Sequence, residues 1–273
     1  MSDDPIDVRF AEVRRLVTEA GRSTLTRFRS EGLVVHRKAD RSPVTEADRQ
    51  AELMLRDAIG RLFPDDAFLG EEFGEVSGTS GYRWIVDPID GTKSFIAGVP
   101  LFGTMIGLEL DGQALIGAIY VAGLDEGVFA ARGRGCWHFH GDRDPIRTSV
   151  SKTRDLADAI FVTSEVKTFD LRQSRPAYEQ LERACFVTRT WGDCYGYLLV
   201  ATGRADLMID PVMNVWDAAA VQPILEEAGG TFTDWEGLPT IHGGEGIGTT
   251  PWLLEQVLAT TRHYPRPADL PRT

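Results

Sequence analysis

The 273-residue sequence predicts an α/β protein in which an α+β half precedes an α/β half, the two sharing a cleft. Three observations carry this reading. Two stretches with helical apolar spacing open the chain. A series of apolar runs split by turn residues follows. From about residue 159 onward, short apolar runs alternate with helix-like stretches. The length suffices for one large or two ordinary domains with a real hydrophobic core.

Taken in order, residues 6–30 place Ile6, Phe10, Val13, Val17, Ala20, Leu25 and Phe28 three to five apart, which predicts a helix. A loop, "HRKADRSP" (36–43), separates it from a second helix running from Thr45 to Leu62 and stopping before Pro64. Within "YRWIVDPID" a buried strand, Trp84 to Val86, ends at Asp87. Asp90 then sits at a turn, and Gly91-Thr92 opens a helix with free N–H groups. Thr104 to Phe139 reads as an antiparallel meander, divided at Asp111-Gly112, at Glu126-Gly127 and at "RGRG". Trp137, His138 and Phe139 are read as packing that sheet, with a ligand role for His138 as the alternative. The polar "GDRDPIRTS" marks a boundary between residues 1–144 and 145–273.

Beyond it come strand "AIFVTS", helix "RPAYEQLERA", strand "FVTRTW", helix "CYGYLLVATG" and strand "DLMID". A single helix, "WDAAAVQPILEEA", is stopped by Gly229-Gly230. The last helix starts at Thr250-Pro251, a cap residue followed by proline.

Net charge is −12 and the pI near 4.9, which argues against nucleic acid and anionic membrane as partners. A small anionic substrate would need locally fixed cations, and a carboxylate-bound metal would supply them. Cys136, Cys185 and Cys194 form no C-x-x-C pair and read as buried reduced thiols. No apolar run is long enough for a membrane span, and "MSDDPIDVRF" lacks the features of a signal peptide, so a cytoplasmic location is expected.

The acids carry the chemistry. Asp87 and Asp90 are rigidly placed beside an N–H-rich turn and could hold a metal and a phosphate together, although alone they read more simply as an ordinary Asp/Gly turn with Asp90 as helix cap. "LGEEFG" adds Glu71 and Glu72, which could simply be solvated. "TEADR" adds Asp48, which also fits a capping box with Thr45. "NVWDAAA" adds Asp217 at a helix start, where an acid suits the macrodipole. Together, four segments place acids at strand ends or helix starts, where α/β clefts gather ligands. Oxygen donors without Cys or His clusters point to Mg²⁺ rather than Zn²⁺.

In this arrangement the chain resembles the inositol monophosphatase family of lithium-sensitive, magnesium-dependent phosphatases. The matching motifs, in order, are "VTEAD", "GEE", "WIVDPIDGT" and "WDAAA" followed by "EEAGG", and they span most of the chain. The resemblance implies a layered αβαβα sandwich, dimeric, with two or three Mg²⁺ ions per site. It implies Glu71, Asp87, Asp90, Asp217 and the Ile89 carbonyl as metal ligands, with Glu72 supporting them from behind. Asp48 and Thr92 would orient and deprotonate the attacking water, with Glu71 completing the catalytic set. The Gly91 and Thr92 N–H groups, Asp90 and Asp217 would surround the phosphate.

"DPIDGTKSFIAGVPLFGTMIGLE", "GCWHF" and "DPVMNVWDAAA" look like the histidinol-phosphatase branch, which acts in histidine biosynthesis. Lys93 in "GTKSF" is shared with the nucleotide-bisphosphatase branch, and could equally be a solvated lysine. Histidinol phosphate carries an ammonium and an imidazole, so its site should hold acids beyond those that bind metal. Asp210 aligns with the family's substrate-contacting acid, which binds inositol hydroxyls as well and so favours neither ester strongly. Asp193 lies in the segment that meets the substrate's far side, unless it is only a helix cap. Arg189 would be a substrate contact or a structural ion pair. The expected activity is thus hydrolysis of a small phosphate monoester, histidinol phosphate first. The alternatives are an inositol-1-monophosphatase, a broad sugar-phosphate phosphatase, a bisphosphate nucleotidase or a non-catalytic regulator.

Overall fold

In the computed structural model the described residues are 4–38, 42–268 and 270; residues 1–3, and 39–41 within the loop expected at 36–43, lie outside them. Helix α1 (Pro5–Thr24) starts on Asp4, whose side chain accepts the Ile6 N–H, with Pro5 in the first turn. It ends earlier than the apolar spacing suggests. The hydroxyls of Ser23 and Thr24 turn back onto the carbonyls of Ala20 and Gly21, and Leu25 donates to Arg22 in a tightened last turn. Strands β1 (Val35–Arg37) and β2 (Pro43–Thr45) form a two-stranded ribbon leading into α2 (Glu46–Leu62).

A sheet then builds from β3 (Ala67–Gly70), β4 (Gly74–Val76) and β5 (Tyr82–Asp90), the short helix α3 (Thr92–Ile96) following β5. The meander comprises β6 (Gly103–Leu110), β7 (Gln113–Val121), β8 (Glu126–Ala131) and β9 (Gly135–His140). The reversal expected at Glu126-Gly127 falls earlier, over Ala122–Asp125, with Asp125 at φ 52°. Gly127 sits inside β8 because a Cβ there would run into the Phe139 ring. The polar stretch 141–149 supplies β10 (Ile146–Arg147), which pairs with β9. The eight strands lie in the order β10-β9-β8-β7-β6-β5-β3-β4, antiparallel except for β3 beside β5.

The second sheet orders as β12-β11-β13-β15-β14. Its elements are β11 (Ile160–Val162), α4 (Lys167–Leu171), α5 (Arg175–Ala184), β12 (Val187–Arg189), α6 (Cys194–Ala201) and β13 (Leu207–Asp210). The single helix expected over 216–228 is two, α7 (Val215–Ala218) and α8 (Val221–Glu227). Pro223 explains the break: it has no N–H for the Ala219 carbonyl, and its ring would clash there. Then come β14 (Thr231–Thr233), β15 (Gly246–Thr249) and α9 (Leu254–Thr261). The turn over 251–253 delays α9 by one turn past Thr250-Pro251.

Alternation along β5 sets the layers. Trp84 and Val86 face α1 and α2, packing with Val13, Leu16, Leu55 and Ile59. Ile85 faces the other way, into a core with Leu198, Ala219, Val221 and Ile224 of α6–α8 and Met208 and Phe232 of the second sheet. The far face of that sheet packs Phe161, Leu207 and Ile247 against Tyr178, Leu181 and Val257 of α5 and α9. The result is an αβαβα sandwich. All three cysteines are buried and free, as expected. Among the described residues no helix is long and apolar enough to cross a membrane.

Candidate active site

The strand ending expected at Asp87 continues to Asp90, and this changes how the two acids are placed. Residues three apart on a regular strand point to opposite faces. Here Asp87 pairs with Met105 but Asp90 with Gly103, so three steps on β5 match two on β6. That one-residue bulge, at a proline that could not have donated to the ladder, puts both carboxylates on one side. The Thr104 hydroxyl donates to the Pro88 carbonyl and the Ile89 N–H to Asp87 Oδ1, which fixes the bulge. Gly91, at φ 85°, turns the chain into α3 as its N-cap, the role otherwise open to Asp90.

Asp217 arrives from α7 at the centre of the sandwich. Oxygens of Asp87, Asp90 and Asp217 all lie within 4.8 Å of one another. Together with Glu71, Ile89, Gly91 and Thr92 they line a cavity of about 240 Å³. Burial, then the charges of Glu71, Asp90 and Asp217, push the Asp87 carboxyl well above its ordinary range. Asp90 is raised by burial and by Asp193 and Asp217. Burial lifts Asp217 to about 7. Such a cluster of buried like charges calls for a cation, and its all-oxygen donor set fits a hard one such as Mg²⁺.

In Asp48, capping a helix and reaching Thr92 are compatible. Its Oδ2 accepts from the Thr45 N–H at 2.8 Å and the Thr45 hydroxyl at 2.6 Å, which is the capping box. Its Oδ1 lies 3.4 Å from the Thr92 hydroxyl, which stands 3.0 Å from the Ile89 carbonyl. Burial raises the Asp48 carboxyl. Asp217 repeats the pattern, with Oδ2 accepting from the Asn214 N–H and side-chain amide.

Two neighbours were not singled out from the sequence. Lys38 Nζ lies 2.6 Å from Glu71 and 2.7 Å from Glu72. Glu52, one helical turn beyond Asp48 and wholly buried, accepts the N–H groups of Glu72 at 2.6 Å and Phe73 at 3.0 Å. It therefore clamps the turn that presents Glu71. Gly70 has no side chain because a Cβ would overlap the Glu52 carboxylate. The available signal was the i, i+4 spacing of Asp48 and Glu52, which sets both on one helix face.

A second cavity of about 360 Å³ adjoins the first, sharing Asp90, Lys93, Asp193 and Asp217 and adding Ser164, Glu165 and Asp210. The Asp193 N–H donates to the Ser164 hydroxyl, which donates to Asp210 Oδ1 at 2.7 Å. Burial lifts Asp210 to about 7 and raises Asp193 as well. Asp193 occupies the N-cap position of α6, yet its side chain makes no cap bond. It holds φ 53° and ψ −156°, a region almost reserved for glycine, and the next N–H, of Cys194, donates to Asp90. Lys93 is exposed and paired with Glu165. Arg189 stays outside both cavities, because β12 is an edge strand; its guanidinium bonds the Thr188 carbonyl and lies over Trp191.

A family model described as the inositol monophosphatase family matches residues 7–265. A histidinol-phosphatase of Chlorobaculum parvum is 44% identical over 232 residues, 85% of this chain and 88% of that one. One from Mycobacterium tuberculosis is 37% identical over 243 residues, 89% of this chain and 94% of its own. A solved inositol monophosphatase of Zymomonas mobilis, 30% identical, superposes with a TM-score of 0.81 over 96% of this chain and 100% of its own. With motifs, layers and acid cluster in agreement, the chain belongs to the inositol monophosphatase family.

Proposed function

We propose that this chain is a magnesium-dependent phosphomonoesterase that hydrolyses histidinol phosphate to L-histidinol and phosphate. One observation carries the substrate assignment: the cavity beside the acid cluster adds Asp210 and Glu165 to the Asp193 that both cavities share, with Lys93 as the only cation among the described residues lining it. An acidic wall suits a leaving group bearing an ammonium and an imidazole better than neutral hydroxyls. The histidinol-phosphatase relatives support the same choice.

Glu71, Asp87, Asp90, Asp217 and the Ile89 carbonyl would hold Mg²⁺. Bound there, the ion would neutralise phosphate charge and lower the cost of generating hydroxide and releasing the alkoxide. Asp48 and Thr92 would take the proton from the attacking water, Thr92 accepting from the water and donating to Asp48. The raised Asp48 carboxyl is the better base for that task. The Gly91 and Thr92 N–H groups would bind the phosphate. The Cys194 N–H holds Asp90 in orientation, and Asp210 and Asp193 would meet the far end of the ester. Water adds to phosphorus as the P–O bond to the ester breaks, and the released alkoxide takes a proton from solvent, so no covalent intermediate on the protein is needed. The proposal includes two or three ions per site, inhibition by Li⁺ and a homodimer, supported by family resemblance, and a cytoplasmic location, supported by the lack of signal-peptide features in the sequence.

The test compares phosphate release from histidinol phosphate and inositol-1-phosphate at saturating Mg²⁺. Higher kcat/KM on histidinol phosphate is expected. The reverse order would overturn the substrate, and no turnover of any small phosphomonoester would overturn the enzyme.

A further inference from the structure

Away from the acid cluster, one face of the β8–β9 hairpin collects two imidazoles and a carboxylate. Glu126 is directly opposite His140 in the antiparallel register, and His138 lies two residues before His140. Strand alternation therefore puts all three side chains on one face. His138 Nε2 is 2.7 Å and His140 Nε2 3.6 Å from the same oxygen, Glu126 Oε1. Potential ligand atoms of the three residues all fall within 4.8 Å of one another.

With bonds of about 2.0–2.2 Å, donors around a zinc ion stand roughly 3–3.5 Å apart. The present spacings bracket that range, so small side-chain rotations would open the cluster around an ion. Two imidazoles and a carboxylate are a donor set that zinc-class ions accept and Mg²⁺ avoids. The ligands stand on two hydrogen-bonded strands, which fixes their backbones. Glu126 is buried, while His140 is 48% exposed and leaves a way in from solvent.

Arg204 is the competitor for this place. Its Nη2 lies 2.5 Å from Glu126 Oε1, and its Nε donates to the Thr202 hydroxyl. Its side chain is 40% exposed, so it can swing into water when a stronger cation arrives. We propose that Glu126, His138 and His140 form a binding site for a zinc-class divalent ion, separate from the carboxylate cluster, with Arg204 as the counter-ion of the metal-free state.

The test uses chelator-treated protein with Asp87→Asn and Asp217→Asn, which removes two carboxylates of the other cluster, and wild type in saturating Mg²⁺. Each is titrated with Zn²⁺ by calorimetry and with Co²⁺ by visible absorption. One equivalent bound in both proteins is expected, with d–d bands of low-symmetry cobalt. His140→Ala, at an exposed position, should weaken binding at least roughly tenfold, as loss of a metal-site contact does. His138→Gln should weaken it as well, with folding of both variants checked by circular dichroism. Arg204→Gln should tighten it. Absence of stoichiometric binding at micromolar metal would overturn the proposal, as would binding indifferent to both histidine substitutions.

Discussion

Asp217 divides its two oxygens between a helix and the cavity, and Asp48 divides its own between a helix and Thr92 of the cavity wall. Oδ2 closes a capping box, and the geometry this imposes aims the rest of the carboxylate inward. From the sequence, capping and chemistry stand as alternatives; the geometry lets one side chain cap a helix and still present an oxygen to the site. Glu52 was missed for a related reason: another acid on an acidic helix is indistinguishable from a solvated one until its burial is known. We expect Glu52→Gln to face an amide donor toward the Glu72 or Phe73 N–H and loosen the turn carrying Glu71. Mg²⁺ required for half-maximal activity should rise roughly ten- to hundredfold, with matching weakening by calorimetry; an unchanged Mg²⁺ dependence would limit Glu52 to a structural role. Asp193→Asn keeps the residue type that best tolerates positive φ while removing the charge. It should lower kcat/KM for histidinol phosphate roughly tenfold more than for a neutral sugar phosphate. Equal losses in the two assays would remove the argument from substrate charge.

At the scale of elements, the helices and strands with strong spacing and clear caps were legible. What escaped was local register. The bulge in β5 leaves no mark in "VDPID" beyond the proline, so the strand appeared to stop three residues early. Gly127 reads as a turn glycine because a packing requirement against Phe139 is nonlocal. Likewise, Pro223 lies within an apparently continuous helical pattern and divides it. Gly91 is a case in which the local signal and the tertiary demand agree: φ is 85°, and a Cβ would meet Asp193 Oδ2 at 2.9 Å and the Leu101 carbonyl at 3.2 Å. Gly91→Ala should therefore cost about 1–3 kcal/mol of stability and depress kcat by displacing Thr92 and Asp193 together. Thermal melts and steady-state rates would check this; a variant with unchanged melting and turnover would show that the turn is not constrained.

For the whole molecule, the acid cluster should make stability depend on pH. The Asp217 carboxyl is near 7 in the folded protein and about 4 in an unfolded chain. Between those values the folded state holds a proton that the unfolded chain releases, so the metal-free protein loses stability as pH rises through this window. Asp87 and Asp90 are shifted in the same direction. Without metal, Tm at pH 8 should fall below that at pH 5.5 by on the order of 5 °C, and Mg²⁺ should abolish most of the difference. A metal-free Tm that climbs over this range would contradict the picture.

The layered order also bears on how the protein can be made. The eight-stranded sheet is complete by Arg147, but the helices that cover its inner face begin only at Cys194. During synthesis, Ile85, Met105, Ile119, Val121, Val128 and Ala130 thus form a bare apolar surface until α6 to α8 leave the ribosome. A chain halted between these points would carry most of the acids of the candidate site and no means of keeping that surface from other proteins. Its fate would be capture by a chaperone or aggregation.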